Sequence, residues 1–122
     1  MRTFIFTLCI ALFGLTTNWA QTIYVNDNST TGDSFTSAVG DDTNGNGSAS
    51  APYLTISFAI SQATNGDVIK VDAGTYDEVV SISKPLSLLG PNENISAVTG
   101  TRNPEAILKK KIGVSANTVN LT

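Results

Sequence analysis

The chain has no histidine among its 122 residues, and its single cysteine, Cys9, lies close to the amino terminus. The lack of histidine excludes Ser-His and Cys-His nucleophilic systems and the usual zinc ligand sets. Cys9 falls inside the apolar run Phe4 to Leu15, so a chain from which that run had been removed would contain no thiol. A disulfide framework and a thiolate metal site are then excluded as well. Basic residues are few: once Arg2 is set aside, six stand against ten acids. Nucleic acid demands a basic face, so this balance argues against it as a partner. Charge of either sign is sparse, while Ser, Thr, Asn and Gly are abundant, as on an extracellular all-β surface.

Arg2, the apolar run and the small and polar residues ending at Trp19-Ala20 have the layout of a secretory signal peptide over residues 1–20. The run is too short to cross a bilayer as a helix. Cleavage is expected after Ala20, although Asn18 departs from the small-residue rule at its position. A lipidated Cys9 is disfavoured because almost no apolar segment would remain to direct export.

The core of the pattern is Asp67 to Gly90, DVIKVDAGTYDEVVSISKPLSLLG. Ile69 and Val71, Val80 and Ile82, and Leu86 and Leu88 are three apolar pairs, each spaced two apart as a strand with one buried face requires. Asp72 to Thr75 reads as a turn around Gly74, and Lys84-Pro85 breaks the chain again. The links are too short for crossover helices, and no Asn-Gly hairpin turn is present. The expectation is a chain that turns corners in the manner of a β-solenoid.

Before this core, Thr22 to Asn26 reads as a short strand. Asn28 to Ser50 reads as a polar surface loop with little packed interior. Within it, Asp42, Asn44 and Asn46 with Gly47 fit the first half of a calcium loop, but Tyr53 stands where a bidentate glutamate is needed, so a solvated turn is favoured. Ile56, Ala59, Ile60 and Ala63 form one apolar helical stripe, with Thr55 placed to cap its start and Gly66 its end. That helix is expected to lie over the open end of the first coil, with Phe58 off the stripe and against the Thr22 to Asn26 strand. A cofactor-binding helix is the sharper alternative, and the stripe has no polar member to support it.

The order helix, GDVIKV, AGTY, DEVVSI, KPLSLLG, from Tyr24 to Gly90, resembles the opening coil of right-handed parallel β-helix proteins. These are the pectin-lyase-like superfamily, which includes pectate lyases and pectin methylesterases. The matching residues Ile69, Val71, Gly74, Tyr76, Val80, Ile82, Leu88 and Gly90 are structural ones. After a polar insertion from Pro91 to Pro104, Ile112 and Val114 repeat Val80 and Ile82 at an offset of 32, and Val119 and Leu121 repeat Leu86 and Leu88 at 33. Ala106 to Leu108 is the candidate counterpart of the first run. The fold expected is therefore all-β, a right-handed parallel β-helix with a short amino-terminal capping helix. Residues 21–66 supply the strand, loop and cap, and residues 67–122 the first coils. About two coils are fewer than a repeat fold normally needs, so a longer protein is expected.

Chemistry is not legible in these residues. Asp77-Glu78 invites a glycosidase reading, but adjacent strand residues face opposite ways and a solvated corner is expected. Lys109-Lys110-Lys111 is the one basic run. The resemblance implies that a lysine or arginine in a polysaccharide lyase removes a proton beside a uronate carboxylate that calcium neutralises, and no acidic calcium cluster accompanies these lysines. It also implies that catalytic residues lie on later coils. No catalytic, cofactor-binding or metal residue is assigned. The expected function is that of the amino-terminal part of a secreted protein that binds or degrades an extracellular polysaccharide; the alternative is a non-enzymatic surface solenoid.

Overall fold

The structure, a computed structural model, describes residues 19–109. The element order is β1 (Thr22–Val25), α1 (Ile56–Gln62), β2 (Val68–Val71), β3 (Gly74–Asp77), β4 (Ser87–Leu89) and β5 (Ala106–Lys109). The described residues are thus mostly strands with one short helix, and they form no closed barrel. One sheet has the order β1-β2-β4 and the other β3-β5, and every pairing between these strands is parallel. Residues 1–18, which hold Cys9 and most of the expected signal peptide, and Ile112, Val114, Val119 and Leu121, read as a repeat, lie outside the described residues.

Register explains the packing. Ile23, Ile69 and Leu88 are consecutive partners across the first sheet, and Val25 pairs with Val71. Side chains alternate along a strand, so Ile23, Val25, Ile69 and Val71 all face one interior, where they are buried. Tyr24, Lys70 and Leu89 form the opposite, outward row. Between β2 and β3 only Asp72 and Ala73 intervene, yet the two strands belong to different sheets. The chain therefore turns a corner there, as its short links predict.

Three expectations are corrected. The segment containing Val80 and Ile82 is not a strand; the strand lies at Gly74–Asp77, and its first two residues fall in the stretch Asp72 to Thr75 read as a turn. It forms there because β5 supplies ladder partners for Gly74 to Asp77, whereas no described strand pairs with Val79 to Ser83. Val80 still packs against the core, but Ile82 is 45% exposed. Second, Leu88 stacks directly on Ile69 instead of sharing a coil with it, and Ala106 to Lys109 is the partner of β3 and not of β2. Third, β2 does have a neighbour above it, because β1 covers it in register.

The helix stripe is as expected: Ile56, Ala59, Ile60 and Ala63 are buried in the same cluster as the β1 and β2 residues and Tyr76. Fully burying an isoleucine contributes about 1.5–3 kcal/mol, so this face fixes α1 against β1 and β2. Thr55 is the N-cap, its hydroxyl accepting the Phe58 N–H. The helix stops at Gln62, and Gly66 sits later, in the turn before β2, with φ of 90°. Phe58 meets Tyr53 edge to face, with ring centroids 5.0 Å apart.

The polar loop has far more internal order than its composition suggests. Its main chain pairs with the outer edge of β1: Tyr24 N–H donates to Gly47 O, Asn26 N–H to Tyr53 O, and Tyr53 N–H to Tyr24 O. An open strand edge is a template for unwanted pairing, and this loop occupies it.

Candidate functional site

Asn26 and Asp72, both 0% exposed, hold the polar loop to the strands from beneath. Asp72 follows β2 immediately, so the corner aims its carboxylate under residues 34–36. Oδ1 accepts the Ser34 N–H at 2.7 Å and the Ala73 N–H at 3.0 Å. Oδ2 accepts the Phe35 and Thr36 N–H groups at 2.8 Å each and the Thr36 hydroxyl at 2.9 Å. Burial pushes this carboxyl upward in pKa, but the donors outweigh it and it titrates below its ordinary value. Asn26 Nδ2 donates to Ser29 O, Ala38 O and, at 2.7 Å, Asp33 Oδ2. Asp33 Oδ1 is buried without a hydrogen-bond partner. Burial, with the charges of Asp72 and Asp27 adding to it, raises the Asp33 pKa against the opposing bonds from Asn26 and Thr36.

The other acids serve similar ends. Asp42 Oδ1 accepts the Leu54 and Thr55 N–H groups, and its Oδ2 accepts the Thr55 hydroxyl at 2.7 Å. Glu78 accepts the Ile56 and Ser57 N–H groups at 2.8 and 2.9 Å, so a distant carboxylate caps the first turn of α1. At the other end, Lys84 Nζ donates to Ile60 O at 2.9 Å and Ala63 O at 2.7 Å. Asp67 takes the Gln21 N–H on one oxygen and the Thr64 N–H and hydroxyl on the other; these bonds lower its pKa.

The three calcium-loop residues are not gathered around a common point. Asp42 holds the helix start, Asn44 Nδ2 donates to Asp41 Oδ2, and Asn46 Oδ1 accepts the Ser48 N–H. Asp41 collects the Asn44 side chain first, then the Asn44 and Thr43 amides, which lower its pKa. Asp77 ends β3 exposed, but Glu78 is a helix cap and not a solvated corner. Lys109 ends β5 exposed; Lys110 and Lys111 lie outside the described residues. Among the described residues no three histidine, cysteine or acidic side chains come together to hold a metal ion.

A cleft of about 640 Å³ is lined by residues of α1, β2 to β5 and the insertion after Gly90. Val71, Tyr76, Leu88 and Leu108 give it an apolar floor, and the insertion after Gly90 gives it a polar wall. Arg102 in that wall is paired with Glu105. Glu93 is bound at 2.9 Å by Lys70, whose Nζ also lies 4.8 Å from the Phe35 ring centroid. Tyr76, beside the floor, donates its hydroxyl to Asp72 O, and burial followed by the nearby acids pushes its pKa far upward. The cleft can receive an apolar or amphipathic group, and among the described residues its walls offer no unpaired acid and base at one point.

A parallel-stranded protein whose polar side chains chiefly hold main chain is the class that this geometry defines. Residues 38–103, more than half of the chain, match the family model described as a protein of unknown function, DUF1565, and the chain belongs to that family. No curated protein and no solved structure matches it.

Sequence reasoning missed Asp72, Glu78 and Lys84 as anchors. Each stands beside a strand end or a proline, and such local signals identify a turn but not the distant amide or carbonyl it binds.

Proposed function

We propose that this chain is the amino-terminal end of an exported right-handed parallel β-helix protein of the pectin-lyase-like kind. The whole protein binds or cleaves an extracellular polysaccharide along its stacked coils, and this segment closes and starts the stack. The observation that carries the reading is the parallel ladder Ile23, Ile69, Leu88, joined to a second parallel sheet through a two-residue corner. A DUF1565 match supports it too, because that family is associated with parallel β-helix proteins. The polysaccharide is an inference from fold resemblance, and a fold hosts many functions.

The test has two arms. Amino-terminal sequencing of the exported protein should begin at Gln21. Affinity electrophoresis against neutral and uronate-rich polysaccharides should retard the whole protein and leave a chain with scrambled order unaffected. Export without cleavage would overturn the leader, and no retardation by any polysaccharide would overturn the ligand.

A second reading is a non-enzymatic surface solenoid. It is favoured by the engagement of Asp42, Asp67, Asp72 and Glu78 with main-chain donors, which leaves them unavailable for acid–base work. Hydrolysis or elimination products released from any of the same polysaccharides would decide against it.

A further inference from the structure

We propose that Asn65 is the site at which this protein modifies itself, losing its side-chain amide to give aspartyl and isoaspartyl residues at the turn between α1 and β2. The chain has three Asn-Gly pairs, Asn44-Gly45, Asn46-Gly47 and Asn65-Gly66. Such pairs are labile, because glycine has no side chain to shield its main-chain nitrogen from the asparagine before it. That nitrogen, after giving its proton to water or hydroxide, attacks the asparagine Cγ. The bond from Cγ to Nδ2 breaks, and ammonia leaves with a proton from water as a cyclic succinimide closes. Water then opens the ring at either carbonyl. One opening gives aspartate; the other gives isoaspartate, with the main chain running through the former side chain. No electrons are transferred, and water is the one co-reactant.

The fold sets the three pairs apart. In each the glycine N–H donates to a main-chain carbonyl, Gly45 to Asp41 O, Gly47 to Ala51 O and Gly66 to Pro85 O, so that bond does not separate them. The asparagine side chains do. Asn44 Nδ2 is held by Asp41 Oδ2 at 2.9 Å, and Asn46 Oδ1 by the Ser48 N–H at 3.0 Å. Asn65 is exposed and makes no side-chain hydrogen bond among the described residues, so its Cγ can turn onto the glycine nitrogen. Space separates the pairs too, since ring closure swings the peptide plane and needs room around the glycine. An added Cβ would lie 2.2 Å from Asp41 O at Gly45, and 2.9 Å from the Tyr53 ring at Gly47, which is buried. At Gly66, which is exposed, it would meet nothing within 4 Å. Local opening is also easiest at exposed turns. Asn65 and Gly66 are the middle of such a turn, closed by the Asp67 N–H on Thr64 O at 3.2 Å. The product places a new carboxylate, and in the isomer one more main-chain carbon, at the joint that leads from α1 into β2.

Ageing the folded full chain at mildly alkaline pH, followed by peptide mapping with mass spectrometry, tests it. Conversion of amide to acid should appear at Asn65 several-fold faster than at Asn44 or Asn46, and enzymatic methylation should confirm isoaspartate in the Asn65 peptide. In urea the three pairs should react at similar rates, because nothing then distinguishes their surroundings. Asn65→Gln, a change at an exposed turn position, should remove nearly all isoaspartate from the folded protein and leave its circular dichroism unchanged. Equal rates at the three pairs in the folded protein, or a faster reaction at Asn44 or Asn46, would overturn the assignment. So would isoaspartate at the wild-type level in Asn65→Gln, or a folded protein in which no pair reacts while all react in urea. A preference for Asn65 that persists undiminished in urea would remove the fold as its cause and overturn the proposal on that ground.

Discussion

Asp72→Asn changes one oxygen into a nitrogen at the point where the polar loop is held to β2. The carboxylate receives five donors, two on Oδ1 and three on Oδ2. An asparagine keeps one accepting oxygen, so in either orientation its NH2 group faces at least two of these donors, most of them partly buried. Hydrogen bonds to a charged group contribute about 1.5–3 kcal/mol each, and a buried donor left unsatisfied costs about 1–3 kcal/mol. The effects are not additive, and a loss of about 3–5 kcal/mol is expected, a large part of the 5–15 kcal/mol typical of a domain. Urea unfolding followed by far-ultraviolet circular dichroism should show the midpoint falling with little change in slope. The pH dependence adds a second check. The folded pKa lies below that of the unfolded chain, so the charge stabilises above the unfolded value and its contribution is lost as pH falls through the folded one. Wild type and variant should therefore converge in acid. A variant within about 0.5 kcal/mol of wild type at neutral pH would refute the assignment of Asp72 as the anchor of the loop.

Lys84→Met removes the donor to Ile60 O and Ala63 O and should lower stability by about 1–2 kcal/mol, read from a thermal melt, with the helix signal lost first. Asp33→Asn should act in the opposite direction. Its raised folded pKa means that the acid's favourable contribution is present at low pH and lost as pH rises through that value, so the neutral mimic should stabilise at neutral pH and give no advantage in acid. Gly74→Ala should destabilise by about 1–3 kcal/mol in denaturant titration, because a Cβ there collides with the Asp27 carboxylate. An additional Asp27→Ala should recover part of that loss.

The apolar half of this fold is legible in the sequence because burial leaves periodic traces. Ile69 and Val71 are read from alternation, and Ile56, Ala59, Ile60 and Ala63 from helical spacing; each is buried as its period requires. What alternation cannot reveal is which run a strand pairs with. Val80 and Ile82 have the same spacing as Ile69 and Val71, yet Gly74 to Asp77 forms the strand, because β5 offers partners to that segment. Gly74 and Asp77 at its ends disfavour strands, so the ladder overrides local propensity there. The polar loop was illegible for a related reason. Its order comes from main-chain donors meeting Asp72 some 36–38 positions away, and composition carries no information about such pairs.

The same economy bears on function. A seven-residue helix is too short to be stable by itself, so its ends must be satisfied from outside. Asp42 and Glu78 meet the amides at its start, and Lys84 meets the carbonyls at its end. These are the residues whose charge and isolation would attract a catalytic reading, and each is already committed to holding the helix. A carboxylate fixed by two or three main-chain donors is a poor general base, since those bonds stabilise its ionised form. Any chemistry in this protein must then come from groups that the architecture leaves free. Among the described acids Asp77 is exposed at the end of β3, and Asp33 has one buried oxygen unbound, with the carboxylates of Asp72 and Asp27 near it. Between Gln21 and Lys109, then, Asp42, Asp67, Asp72, Glu78 and Lys84 chiefly hold main chain in place.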